Sequence, residues 1–266
     1  MKRFHFVGSL TSLLLLSSGM AVQGAITCSM SDYSGTYAFY TTGSLLQLPP
    51  QAAVLLGPFS QSGIFTSDGQ GNVIIESTAS YNGFVQSGNS AATYTITPEC
   101  LVTFSLNLPF PLAVPSTFAS VLSGSNRQNI VMITDPPGSV IVGRHAKQDQ
   151  RFCGLADFNG AYQIDISGSI SQPRERAGLF QRLGRLVADG AGNFTAKTLG
   201  NYAGRLVQED FNGTYDVSAK CFVNLKYTYG GESLAINGAL GGHGETAMVM
   251  VTSPGWAVSG QLRAQQ

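Results

Sequence analysis

The 266-residue chain repeats itself, and that repeat constrains its fold more than any single motif. Ser34-Gly35-Thr36-Tyr37 returns as Asn159-Gly160-Ala161-Tyr162, 125 positions later. Asp68-Gly69-Gln70-Gly71-Asn72 returns as Asp189-Gly190-Ala191-Gly192-Asn193, at an offset of 121. Tyr81, Tyr94 and Cys100 return as Tyr202, Tyr215 and Cys221 at that same offset. Pro137-Gly138 and Gly143 match Pro254-Gly255 and Gly260 at an offset of 117. Matches kept in one order, with only small changes of offset, mark a tandem duplication. Each copy is about 115 residues, an ordinary domain size. The polar junction Lys147-Gln148-Asp149-Gln150-Arg151 separates a unit over 25–148 from one over 149–266.

Within each copy the strand signals are short and regular. In the first copy they fall near 35–41, 58–67, 72–80, 85–97, 101–108, 116–124, 129–134 and 139–146. Some alternate, as in Phe59, Gln61, Gly63 and Phe65; others are continuous apolar runs, as in Ile130-Val131-Met132-Ile133. The separators carry turn chemistry: Asp-Gly-Gln-Gly, Tyr-Asn-Gly, Thr-Pro-Glu-Cys and Asp-Pro-Pro-Gly. The expected fold is all-β: two tandem antiparallel eight-stranded up-and-down barrels, with a pair of β-sandwiches as the alternative. Composition agrees. Charged residues are 11%, against a usual ~25%, and 43% hydrophobic residues suffice for a packed core. The zero net charge gives no basic face for phosphates, so no nucleic-acid partner is expected.

Met1-Lys2-Arg3, the apolar stretch Phe6 to Leu16 and the small residues before Ala25 read as a cleaved secretory signal over 1–24. The apolar run is shorter than the ~20 residues of a spanning helix, and no later segment is longer, so no membrane span is expected. A secreted or periplasmic location follows. Its four cysteines, Cys28, Cys100, Cys153 and Cys221, then favour disulfides, and none sits in a C-x-x-C pair. In a meander, strand 1 starts at the same end as the turn between strands 4 and 5. Cys28 precedes strand 1 and Cys100 sits in that turn, so Cys28–Cys100 closes one end, and Cys153–Cys221 repeats it.

The strand count of each copy resembles the calycin-type and allene-oxide-cyclase-like barrels, which include lipocalins, plant cyclases and dirigent proteins. The chain is also similar to exported microbial proteins of unknown function with Gly-Thr-Tyr and Asp-Gly-x-Gly-Asn elements. Lipocalins carry Gly-x-Trp on strand 1 and an Arg after the last strand. The matching positions are Gly35-Thr36-Tyr37 with Arg144, and Gly160-Ala161-Tyr162 with Gln261 or Arg263; Tyr stands in place of Trp. The resemblance implies a barrel interior able to hold one small ligand.

Candidate chemistry is sparse. The Asp-Gly-x-Gly-Asn turns offer one carboxylate each and sit between strands, which favours hairpin turns over calcium or phosphate loops. Tyr94 and Tyr215 recur between copies; as phenols they either pack or polarise a carbonyl. His243 and Glu245 are two apart in a glycine-rich turn. No metal or cofactor is expected. The copies differ most in their first loop. In copy one it carries Leu45, Leu46, Leu48, Leu55 and Leu56 around Pro49-Pro50, a candidate lid over a greasy ligand. In copy two it carries Arg174 and Arg176, followed by Phe180, Arg182 and Arg185, either an anion site or a solvated charge run. Three readings follow: an exported barrel binding an apolar or aromatic small molecule; a cofactor-free cyclase or isomerase acting by positioning; or a surface interaction module. The last draws on the nine charged residues between 25 and 150.

Overall fold

Period-two side-chain alternation and glycine-bearing turns build a meander twice over. The computed structural model describes residues 27–107, 115–122, 128–135, 138–149 and 152–265; the expected leader lies outside them. The first eight strands are β1 (Ser34–Leu45), β2 (Gly57–Asp68), β3 (Asn72–Tyr81), β4 (Phe84–Ile96), β5 (Leu101–Asn107), β6 (Pro115–Val121), β7 (Gln128–Asp135) and β8 (Ser139–Lys147). The second eight are β9 (Asn159–Ile170), β10 (Gly178–Asp189), β11 (Asn193–Tyr202), β12 (Arg205–Val217), β13 (Phe222–Tyr229), β14 (Glu232–Gly241), β15 (Thr246–Val251) and β16 (Trp256–Ala264). Each strand pairs antiparallel with the next, and β8 and β16 return to β1 and β9. Both sheets are therefore closed barrels, and the sandwich alternative falls because that return pairing leaves no open edge. β1 runs four residues beyond the expected end at Thr41, since Leu45 still pairs with Gly57 and Ser139.

Both expected disulfides are present, Cys28–Cys100 and Cys153–Cys221, with Cα separations of 5.0 and 4.9 Å. Cys100 and Cys221 hold the same left-handed backbone, φ 68° and 66°, in the same turn of each barrel. Above each bridge a 3-10 turn, Met30–Tyr33 or Leu155–Asp157, leads a ring into the barrel floor: Tyr33 in the first, Phe158 in the second.

The barrels lie side by side through outward faces. On β2, Ser60, Ser62 and Ile64 point away from the first barrel's interior, yet all are buried. Ser62 Oγ donates to the Met248 carbonyl at 2.8 Å, Ser80 Oγ to Trp256 O at 2.7 Å, and Ser259 Oγ back to Thr41 O at 2.8 Å. Ala38, Ile64, Ala146, Ala239 and Met248 form the apolar part of the contact. This explains why β15 is buried throughout: Ala247, Val249 and Val251 join the second core, while Met248 packs against the first barrel. A Cβ on Gly83 would stand 2.6 Å from the Gly255 Cα, so the small residues there permit the approach.

Candidate functional site

The two interiors are built from aligned positions with different side chains. In the second barrel, Arg182 of β10 and Glu209 of β12 point inward and form a fully buried ion pair at 2.6 Å. Arg182 also donates to the Tyr227 hydroxyl at 2.8 Å and to that of Tyr202 at 3.1 Å, and Tyr202 in turn donates to Glu209. Phe180 and Phe211 sandwich the guanidinium, each ring centroid 5.3 Å away. This cluster is a plug.

In the first barrel the offset of 121 places Gln61, Gly88, Ser90 and Leu106 where the second has Arg182, Glu209, Phe211 and Tyr227. The strand register supports the match, with Ser77 opposite Gly88 and Thr198 opposite Glu209. A Cβ built on Gly88 would touch nothing within 4 Å. The result is a cavity of about 90 Å³. Its walls are the rings of Phe39, Phe65, Phe104 and Phe118 with Val73, Ile75, Leu106 and Val131; Tyr33, Thr41, Gln61, Ser90 and His145 supply the polar atoms. Gln61, Ile75, Ser90 and Phe118 line the cavity yet keep partial exposure, so it communicates with solvent.

His145 is the buried imidazole of this cavity. It is fully enclosed, its ring packed against Tyr33, Tyr37 and Phe65 at centroid distances of 5.7, 5.6 and 5.4 Å. Nε2 lies 2.9 Å from Ser120 Oγ, and the Tyr33 hydroxyl is 3.3 Å from Nδ1 and 3.4 Å from Nε2. Burial drives its pKa down to about 3, so the imidazole is neutral at ordinary pH. Burial likewise raises the Tyr33 phenol well above its usual range. In the second barrel this trio is replaced by Phe158, Leu262 and Gly238. The two barrels thus hold different internal polar clusters: Tyr33, Ser120 and His145 in the first, Arg182, Glu209, Tyr202 and Tyr227 in the second.

The residues singled out from sequence do not converge. Tyr94 bonds the Met30 and Tyr33 carbonyls at 3.2 and 3.3 Å; Tyr215 bonds those of Leu155 and Phe158 at 3.2 and 2.8 Å. Both phenols tie the floor turns to the barrel wall. His243 and Glu245 lie in the surface hairpin after β14, where His243 Nε2 is 3.9 Å from Asp149. The leucine loop folds into a 3-10 turn, Pro50–Leu55, across the end of barrel one opposite the disulfide. Leu45 packs with Phe59, Ala79 and Ile141, and Leu55 packs with Ala52, Leu48 and Tyr81. Leu46 is 65% exposed, and none of the five leucines lines the cavity. Arg176 pairs with Glu232 at 3.0 Å and lies over Tyr202 and Tyr229, while Arg174 is exposed. Arg182 and Arg185, grouped with that loop by sequence, belong to β10, with Arg182 inside and Arg185 reaching Gln265 outside.

The Asp-Gly-x-Gly-Asn carboxylates are saturated by their own turns. Asp68 accepts from Gln70 N, Asn72 N and Asn72 Nδ2 at 2.7, 3.0 and 2.7 Å, and Asp189 repeats the pattern at 2.8, 2.9 and 2.8 Å. Those bonds, the Asn side chain's first, hold both carboxyls below the usual range. Over Tyr37 the cation is Lys147, 5.9 Å from the centroid; Arg144 lies opposite Tyr40 in the ladder.

Fold and floor together define the class: a protein of two tandem, disulfide-closed eight-stranded barrels, one hollow and one filled. No protein-family profile matches the chain, and no curated protein is similar to it in sequence. Among solved structures, isotype 1 transferrin binding protein B from serogroup B Neisseria meningitidis aligns with 86% of this chain and 75% of its own. The identity is 6% and the TM-score 0.36, too low to carry over fold or function.

Proposed function

We propose that this is an exported binding protein whose first barrel takes up a small apolar or aromatic molecule while the second acts as a solid scaffold. One observation carries the reading: where barrel two is plugged by Glu209, Phe211 and Tyr227, barrel one has the side-chain-free Gly88, and Ser90 and Leu106 line a cavity of about 90 Å³. An apolar cavity gains from filling, because its lining atoms otherwise lack contacts on one side. At about 90 Å³ the hollow is smaller than the ~150 Å³ apolar cavity that takes benzene, so a single ring enters as Phe118 or Phe39 yields, or a narrow tail threads inward. The leucine loop then roofs the end through which the ligand enters. Two disulfides fit an oxidising compartment, as the basic-apolar leader does. The likeness to calycin-type barrels supports an internal site. The cyclase or isomerase alternative shares that site and adds turnover.

The test is mass spectrometry of small molecules extracted from natively purified protein, wild type and Ser90→Phe. A compound that co-purifies with the wild type and is lost from the variant is expected. An empty wild type, with no change in melting temperature on adding single-ring compounds, would remove the cavity from function.

A second reading, a surface interaction module, is favoured by the crevice of about 680 Å³ between the barrels. Val140 and Val142 are exposed on one wall and Leu179, 76% exposed, on the other. Val140→Ser with Leu179→Ser would abolish partner binding in that case and leave ligand uptake intact.

A further inference from the structure

Thr41 on β1 faces the cavity of barrel one; it is 4% exposed, and its hydroxyl oxygen has no hydrogen-bond partner. A hydroxyl buried in that state costs free energy unless something bonds to it. His145 is its diagonal neighbour across the β1–β8 ladder, because Thr41 pairs with Gly143 and Phe39 with His145. Diagonal positions on one sheet face lie roughly 7–8 Å apart, so the space in front of the Thr41 hydroxyl borders the His145 ring. Gly143 puts no side chain in the gap. The second barrel has Ile166 and Leu262 at the two places, so the polar pair occurs only in the hollow barrel.

The rest of the cavity is discriminating in another way. Among the described residues, none of its lining side chains is Asp, Glu, Lys or Arg. The groups that face His145 are the Tyr33, Tyr37 and Phe65 rings and the Ser120 hydroxyl, which give it no carboxylate to share a proton with. An ionised ligand would lose its hydration here without meeting a counter-charge.

Resting on the reading that this hollow binds a ligand, we infer that the ligand is uncharged, mainly apolar and bears one hydroxyl or carbonyl oxygen, seated against the Thr41 hydroxyl beside the His145 ring. Thr41 satisfies its buried hydroxyl on that oxygen. The Thr41 hydroxyl, able to donate or accept, takes either an alcohol or a ketone, while the His145 ring nitrogens keep their contacts with Ser120 Oγ and the Tyr33 hydroxyl. The apolar remainder lies among Phe39, Phe65 and Phe118.

The experiment is calorimetric titration of the full chain with toluene, benzyl alcohol, acetophenone, benzoate and benzylammonium, one ring in five chemistries. Benzyl alcohol and acetophenone are expected to bind about tenfold more tightly than toluene, and the two ions at least about tenfold more weakly than benzyl alcohol. Thr41→Val, nearly isosteric, removes the preference for the oxygen-bearing probes and leaves toluene affinity unchanged; Thr41→Ser keeps the preference. Benzoate or benzylammonium binding as tightly as benzyl alcohol would overturn the inference, and so would a preference that survives Thr41→Val in protein melting like the wild type. Toluene bound equally with the alcohol and ketone overturns it while leaving the hollow as a binding site. Failure of every probe, toluene included, overturns both.

Discussion

The two barrels share closure, register, floor disulfide and turn chemistry, and differ in what fills them. In the second, a buried Arg182–Glu209 pair, two tyrosine hydroxyls and Phe211 occupy the centre. In the first, the aligned glycine, serine and leucine leave space, and a neutral His145 sits at the floor. Closing a barrel therefore does not decide whether it is a core or a container; three or four inward positions do. A duplication allows that division, because one copy supplies stability while the other gives up internal contacts.

The largest effect should come from unpairing the plug. Glu209→Leu leaves the Arg182 charge buried without its partner and should cost about 3–5 kcal/mol by urea unfolding. In the hollow barrel Gln61→Leu, at the position aligned with Arg182, removes one hydrogen bond to Ser77 and should cost about 1 kcal/mol. Equal losses would mean that the interiors are not energetically different.

Next come the disulfides, where the barrels should agree. Cys28→Ser with Cys100→Ser opens a loop of sequence separation 72, and Cys153→Ser with Cys221→Ser one of 68. Each pair of changes should cost about 2–4 kcal/mol. A much larger loss in the hollow barrel would show that its floor carries what its centre lacks.

Exchanging one residue of the plug, in opposite directions in the two barrels, is a smaller perturbation. Phe211→Ser should cost about 2 kcal/mol, since the ring packs on the guanidinium and is only part-buried. Ser90→Phe fills the cavity, should leave stability within about 1 kcal/mol, and should abolish ligand uptake. If Ser90→Phe binds ligand normally, the site lies elsewhere.

The last comparison concerns pH. His145 has a folded pKa near 3, below the ~6.5 of an unfolded histidine. Between those values the unfolded chain binds the extra proton, so stability rises with pH through that window. The contribution is complete above about pH 6.5 and is lost as pH falls toward 3. His145→Leu, which copies Leu262 of the filled barrel, should flatten the fall in melting temperature from pH 7 to 4. An unchanged slope would assign the acid sensitivity to carboxylates such as Asp68 and Asp189, whose pKa values are lowered.

Much of the framework was legible because it rests on local or pairwise rules. The Asp-Gly-x-Gly-Asn turns, the tyrosines at an offset of 121 and the matched cysteines are short-range signals written twice. Parity along a meander then carried Cys28 to Cys100. The site was less legible. Tyr94 and Tyr215 stood out because they recur, but residues repeated in both copies maintain what the copies share, here the floor turns. The distinguishing positions were those where the copies disagree: Gly88 against Glu209, Ser90 against Phe211, His145 against Leu262. Alignment of the repeats displays those differences, but gives no sign of which of them meet.

By itself the sequence determined two all-β copies, their strand and turn series and their cysteine pairing, because period-two patterning, glycine backbones and chain reach act within a strand or between neighbours. Tertiary structure alone decided that Arg182 leaves the neighbourhood of its loop for the centre of a barrel, where Glu209 compensates a charge that could not otherwise be buried. It also decided that β15 buries both faces, one in its own core and one against the other barrel. Whether a space is filled depends on side chains brought together from several strands, and closure of the sheet is what brings them there.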